Sequence, residues 1–354
     1  MRISTLLIAA GVASHHASAT VYAPCPDGLK CITVTPPNEP EFTFNCSVAA
    51  PPANATELGF VYHMHGDDSR YAKAMWADDM KQLAALGYTS LACDQRGYSI
   101  GASPYNIDAY NYDYLVQDIF SIVNATYGTG KFHIVSHDQG ARISWHAIAQ
   151  GEIRERLLSF TSLSIPQSDV FSAAIYGPNA YEPQQTAAEY VRVLTLPNST
   201  LVYNETVFTK VCGGLNWPTP ELCQPSFWWY NGAINSGAMA LAPFNGLGPI
   251  GEDIGIPMSV VGNLTQYPTE GVGQSVFVGN VTEFPVFYAC GAKDTADLCI
   301  DLFENESAAL ISDFSYLRVD DCGHDIISSV SACSQQQEVI DGIIANIQKG
   351  TPSQ

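Results

Sequence analysis

The chain has 354 residues, 46% hydrophobic and only 14% charged, a composition that excludes a disordered, collagen-like or coiled-coil chain and leaves ample material for a core. Asp and Glu number 35 against 15 Lys and Arg, giving a net charge of -20. A surface of that sign repels phosphate backbones and anionic lipid, so nucleic acid and acidic membrane are poor partners. At about 150 residues per domain the length suggests two units, and the pattern along the chain favours one core carrying an insertion.

Residues 1–19 read as a signal peptide: Arg2 is the basic start, Ile3 to Ala13 the short apolar run, and Ala17-Ser18-Ala19 the small-residue cleavage site. No other run approaches the ~18 apolar residues of a membrane span. Lys349 to Gln354 is neither a retention signal nor a lipid-anchor tail, so a secreted, extracellular protein is expected. Ten cysteines fit an oxidising compartment, and the short loops Cys212 to Cys223, Cys290 to Cys299 and Cys322 to Cys333 are the simplest pairings. No CxxC or Cys/His cluster has the spacing of a zinc site. Sequons at Asn45, Asn54, Asn124, Asn198, Asn204, Asn263, Asn280 and Asn305 are expected on surface loops or helix edges as glycosylation sites. Glycans there would crowd most faces, so an oligomer is not indicated, although a dimer through a bare patch remains open.

Cys31 to Thr35 and Glu41 to Cys46, flanking Pro36-Pro37-Asn38-Glu39-Pro40, look like an antiparallel edge hairpin. Buried strands are then expected at Phe60 to His65, Ser90 to Cys93, Phe132 to Ser136, Phe160 to Ile165, Val286 to Cys290 and Tyr316 to Val319. Helical patterns fall at Tyr71 to Leu86, Tyr114 to Val123, Ala141 to Ala149, Leu298 to Leu310 and Glu338 to Ile347. Such alternation predicts an α/β fold, a mostly parallel sheet flanked by helices. Residues 20–165 and 283–354 form the expected core. Over 166–282 aromatics, Pro, Gly and Asn dominate and the strand rhythm is lost, which predicts an inserted cap.

Phe132 to Arg142 is a hydrophobic strand running into a helix, with small residues two before and two after Asp138. That spacing makes a nucleophile elbow, a turn so tight that the positions flanking its apex by two must be small. Ser136 fails as the apex, because its flanks are Ile134 and Asp138. The plain alternative is that Asp138 caps the following helix.

With an aspartate at the apex, the chain resembles the α/β hydrolase family, specifically its epoxide hydrolase and haloalkane dehalogenase branch. The resemblance covers roughly residues 58 to 345 and includes, in order, His65-Gly66, Asp94-Gln95-Arg96-Gly97-Tyr98-Ser99-Ile100-Gly101 and Cys322-Gly323-His324. It implies an α/β hydrolase fold and a cofactor-independent enzyme. Attack on an sp³ carbon by serine would give an ether that water cannot cleave, whereas aspartate gives a hydrolysable ester. His324, in the loop after the last core strand, is the expected general base. Asp294 matches the family's orienting acid, with Asp297 as fallback, and His133, His137 and His146 are expected to be structural.

An epoxide's departing oxygen wants a proton donor. Two cap tyrosines do this in epoxide hydrolases; Glu189-Tyr190-Val191-Arg192 looks like the first and Phe227-Trp228-Trp229-Tyr230-Asn231 is similar to the second. The oxyanion hole would use the backbone N–H groups of Asp67 and Gln139. Dehalogenases place Trp where this chain has Gln139, and an amide or Trp where it has Asp67; a carboxylate near a departing anion is unfavourable. His65-Gly66-Asp67-Asp68 departs from the family's usual His-Gly-x-Pro. Arg96 is expected to brace its turn through an ion pair, and Arg142 has a haloacid-binding alternative. The first expectation is therefore a secreted epoxide hydrolase acting on a small or lipid-like, apolar epoxide through an Asp138 ester. Its alternatives are a haloalkane or haloacid dehalogenase using the same triad, a catalytically silent binding glycoprotein of the same fold, and an esterase, which the lack of Ser or Cys at the elbow disfavours.

Overall fold

The computed structural model describes residues 25–66, 72–104, 106–177, 180–188, 220–235, 277–328 and 333–352. β1 (Lys30–Val34) and β2 (Phe44–Ala49) form the expected antiparallel hairpin. The second strand starts three residues later than the sequence suggested, because a turn with bonds from Glu39 N–H to the Pro36 carbonyl (3.1 Å) and from Phe42 N–H to the Glu39 carbonyl (3.0 Å) occupies the intervening chain. β3 (Gly59–Met64), β4 (Tyr88–Cys93), β5 (Phe132–His137), β6 (Leu157–Leu163), β7 (Val286–Gly291) and β8 (Phe314–Val319) follow. The sheet order is β1-β2-β4-β3-β5-β6-β7-β8, parallel from β4 onward. β3, β5 and β7 are buried at every position, as strands covered on both faces must be.

The coverings are two sets of helices. α1 (Ala77–Leu86) and the C-terminal Gln336–Gly350 helix send Met80, Leu83, Val339, Ile340, Ile343 and Ile347 onto one face. α2 (Tyr112–Thr126) and α3 (Gln139–Ala149) send Leu115, Ile119, Ile122 and Ile143 onto the other. The helix expected from Tyr71 is split: Ala72–Trp76 is 3-10 and α1 begins only at Ala77. Lys73 explains this, since its backbone N–H (3.2 Å) and its buried ammonium are both drawn onto Asp94 after β4. Gly87 ends α1 at φ 106, where a Cβ would lie 2.8 Å from the Thr56 carbonyl oxygen. In the segment expected to be a cap, α4 (Ser168–Tyr176), α5 (Glu182–Ala187) and α6 (Pro220–Asn235) are helical. α7 (Asp301–Leu310) then precedes β8, and the Gln336–Gly350 helix is α8.

Disulfides Cys290–Cys299 and Cys322–Cys333 form as expected, and the expected Cys212–Cys223 pair involves Cys212, which lies outside the described residues. Cys25–Cys31 and Cys46–Cys93 are additional, the latter joining directly opposed positions of β2 and β4. Asn54, Asn124, Asn280 and Asn305 are exposed. Asn45 departs from the loop expectation: it sits half-buried inside β2, where alternation turns it away from the face that Phe44 and Cys46 bury. Asn198, Asn204, Asn263 and residues 1–24 fall outside the described residues. Among the described residues, no helix is long and apolar enough to cross a membrane.

Arg96 braces its turn as expected. Its guanidinium grips both oxygens of Asp118 on α2 (2.8 and 2.6 Å) and one of Glu39 (2.8 Å), tying the turn after β4 to α2 and the hairpin. Burial pushes Asp118 up to about 7, against the opposing pull of Arg96.

Candidate functional site

β5 ends at His137 and α3 begins at Gln139, leaving Asp138 alone to reverse the chain at φ 48, ψ -123. L-residues rarely adopt this conformation, and the surroundings hold it. Asp138 N–H donates to the Leu163 carbonyl (3.1 Å), while Ala141 and Arg142 donate to the Asp138 carbonyl (2.8 and 3.1 Å). The small residues are sterically required: a Cβ on Gly140 would lie 2.5 Å from the His65 carbonyl oxygen, and one on Gly66 would lie 2.5 Å from Asp138 Cβ. The Asp138 side chain makes no capping bond to α3, so helix capping does not account for it. Ser136 is buried, bonded to Ser144 Oγ at 2.7 Å.

The loops after β7 and β8 bring two further groups to this carboxylate. His324 Nε2 lies 3.5 Å from Asp138 Oδ1, and its Nδ1 lies 2.7 Å from Asp294 Oδ2. The other Asp294 oxygen accepts the N–H groups of Ala296 (2.9 Å) and Asp297 (3.0 Å), which fixes the carboxylate against rotation. His324 is also held by its backbone, whose carbonyl accepts from His137 Nε2 (2.9 Å) and Ser164 Oγ (2.8 Å). Burial alone would lower the His324 pKa, but Asp294 and Asp138 outweigh it and hold the imidazolium well above the usual range. An Asp–His–Asp chain of this kind can carry a nucleophilic carboxylate and a base for water, with the second acid fixing the tautomer.

Three residues of the signature after β4 have distinct physical tasks. Asp94 holds Lys73, Gln95 holds His65 and Arg96 holds Asp118. His65 Nε2 accepts the Gln95 N–H (3.0 Å) and Nδ1 donates to the Gly66 carbonyl (2.7 Å), so the ring is neutral and its tautomer fixed. Gln139 N–H stands in the first turn of α3, where a helix has no acceptor of its own, and its side-chain amide donates to the Tyr112 hydroxyl (2.5 Å). Tyr230 is fully buried on α6. That helix seats Trp229 against His65 and Tyr98, its indole N–H donating to the Arg96 carbonyl at 2.7 Å. Asp67 and Tyr190 lie outside the described residues.

His133 and His146 take no part here: burial pushes His133 down to about 3 and lowers His146, and His133 Nδ1 is bonded to Ser159 at 2.8 Å. Arg142 is turned to Asp297 (3.3 Å) and stacks on Phe171 (4.5 Å to the ring centroid), which accounts for it without a haloacid. Asp138, Asp297 and His324 each place a potential ligand atom within 4.8 Å of the others, but the Arg142 guanidinium already supplies a cation beside Asp297. Three contributors had no sequence signature: Ser164, at φ 66 after β6; His137, as the holder of the His324 carbonyl; and Gln184 on α5. The Gln184 amide donates to the Ala296 carbonyl and accepts from Leu298 N–H, both at 2.8 Å, bracketing Asp297.

The chain matches the model of the alpha/beta hydrolase fold family over residues 72–328 and belongs to that family. Among curated relatives, the AB hydrolase superfamily protein YfhM of Bacillus subtilis is 31% identical over 124 residues, 35% of this chain and 41% of its own length. Epoxide hydrolase 1 of Caenorhabditis elegans is 31% identical over 102 residues, 28% of this chain and 24% of its own. Epoxide hydrolase A of Mycobacterium tuberculosis is 33% identical over 91 residues, 26% and 27% respectively. The matched segments thus span less than half of each of these relatives. Solved structures agree in fold over nearly the whole length. An epoxide hydrolase from hot-environment metagenomes has a TM-score of 0.60 at 19% identity, covering 92% of this chain and 99% of its own. An epoxide hydrolase of Bacillus megaterium, in complex with its product, has a TM-score of 0.57 at 14% identity, covering 86% and 98%.

Proposed function

We propose that this chain is a secreted, cofactor-independent epoxide hydrolase. Asp138 attacks an epoxide carbon, the C–O bond of the ring breaks, and the leaving oxygen takes a proton from Tyr190 or Tyr230 of the cap formed by residues 166–282. His324 then removes a proton from water, whose oxygen attacks the acyl carbon of the Asp138 ester; the diol departs, the carboxylate is restored, and exchange through solvent takes the proton from His324 and returns one to the tyrosine. Asp294 holds the imidazole, and the N–H groups of Asp67 and Gln139 stabilise the tetrahedral oxyanion. The observation that carries this reading is the strained elbow with a carboxylate at its apex, 3.5 Å from a histidine bonded to a second acid. The similarity to epoxide hydrolases supports the substrate class.

The neutral His65 and its apolar, aromatic neighbours Tyr98 and Trp229 suit an uncharged substrate. The test is His324→Gln, exposed to mixed epoxides and haloalkanes and examined by peptide mass at Asp138. Without the base the ester persists, and a hydroxyalkyl adduct is expected. A simple alkyl adduct would replace this reading with carbon–halogen hydrolysis by the same triad, and no adduct from a folded protein would favour the silent binding glycoprotein.

A further inference from the structure

Asp297 is buried, 1% exposed, yet one of its oxygens accepts no hydrogen bond, and that oxygen lies 3.8 Å from His324 Nδ1. The other oxygen meets Arg142 at 3.3 Å. The Gln184 clamp on both sides of the residue keeps the carboxyl where it is. The groups that face it are Arg142 from α3, His324 from the loop after β8, Asp138 at the elbow, Asp294 in its own loop and Tyr288 from β7. Asp138 and Asp294 already flank His324, and a further negative charge within 4.8 Å of Asp138 is opposed by both acids, against the pull of Arg142 and the His324 imidazolium.

We propose that Asp297 is a positioning residue that balances the charge of Asp138: it holds a proton while Asp138 is a free carboxylate and releases it when Asp138 becomes a neutral ester. This rests on the epoxide-opening reading. Ring opening turns one carboxylate into an ester and one ring oxygen into an alkoxide that needs a proton. Asp297 releases one at that stage, exchanged with solvent through His324, whose ring is 27% exposed. Hydrolysis of the ester frees one proton from water to His324, and Asp297 takes one up as Asp138 regains its charge. The cycle closes on epoxide plus water giving diol. A negative Asp297 in the ester state also stabilises the imidazolium that forms as His324 takes the proton of water. The direction of its titration agrees: burial pushes Asp297 up to about 7 against Arg142 and His324, with smaller upward contributions from Asp294 and Asp138.

Asp138→Asn mimics the uncharged ester, so infrared titration of carboxylic-acid C=O bands reads the coupling directly. Asp297→Asn identifies the Asp297 band in the wild-type protein, and circular dichroism reports whether that variant folds. If it does not fold, Arg142→Gln identifies the band instead, by moving it to higher pH. In Asp138→Asn the Asp297 midpoint should fall by about one to two pH units. The Asp118 band, which titrates in the same range but is tied to Arg96, should stay in place. An Asp297 midpoint that does not move, or an Asp297 already ionised at pH 5 in the wild type, would overturn the inference. No epoxide enters this measurement, so a missing Asp138 adduct would overturn the proposed function and the catalytic cycle drawn from it while leaving the charge coupling measured here, and an unmoved midpoint would overturn this inference alone.

Discussion

Two buried aspartates in this molecule are pushed to about the same pKa, near 7, by the same first cause, burial, and differ in everything else. Asp118 gives both oxygens to one guanidinium at 2.6 to 2.8 Å, in a cluster that joins a hairpin, a turn and a helix. Asp297 has one longer contact to Arg142, one oxygen without a hydrogen bond, and a histidine beside it. With both oxygens bonded to one guanidinium Asp118 is a strut, whereas a carboxyl with an unbonded oxygen beside a titrating ring can change state. A pKa alone would not have separated them.

The sharpest contrast comes from removing charge at each place. Asp294→Asn should lower kcat/KM for an epoxide by about 10⁴-fold, from loss of the tautomer and of the charge opposite the imidazolium, with modest loss of stability. The measurement is a rate at fixed folded concentration. Asp118→Asn should do the reverse, destabilising the fold by about 3–5 kcal/mol in denaturant titrations because Arg96 is left buried without its main partner. Turnover of the molecules that remain folded should change by less than tenfold. A large catalytic loss in that variant would mean the two clusters are not separate.

Proton linkage sharpens the comparison further. Both aspartates have folded-state pKa values above the unfolded value near 3.8, so each contributes stability that is fully present below about pH 4 and lost as pH rises through about 7. Asp297→Asn should therefore flatten the decline in Tm between pH 4 and 7. His133 works in the opposite sense, being pushed down to about 3, so its contribution is present above about pH 6.5 and lost as pH falls toward 3. The smallest effect is expected at Gln184. Gln184→Ala removes two bonds to the Ala296–Leu298 segment, which should cost about 1–3 kcal/mol of local order and appear as a several-fold fall in kcat with little change in KM.

Much of this was legible beforehand, and the reasons are local. The elbow shows itself because steric demand at Gly140 leaves a residue-type signature, and the strands show because two-sided burial leaves apolar runs. The pairing of Asp294 with His324, which the family resemblance implied from their places after consecutive strands, is present at 2.7 Å. What stayed hidden depends on chain segments that meet only in three dimensions. Nothing near Gln184 marks it as a clamp on a loop 112 residues away, and nothing near Ser164 marks a positive φ. The 3-10 segment before α1 was likewise invisible, because its cause is an anchor on Asp94, beyond the helix.

The backbone at Asp138 has an evolutionary consequence. A residue held at φ 48, ψ -123 costs the fold about 1–3 kcal/mol, a cost that glycine avoids. Aspartate and glycine codons differ by one nucleotide, so the mutation that abolishes the carboxylate also relieves the main chain. With Asp138 as the proposed nucleophile, selection for chemistry and drift toward a more relaxed fold pull in opposite directions at this position. A lineage released from the first has a short, downhill route to an inert scaffold.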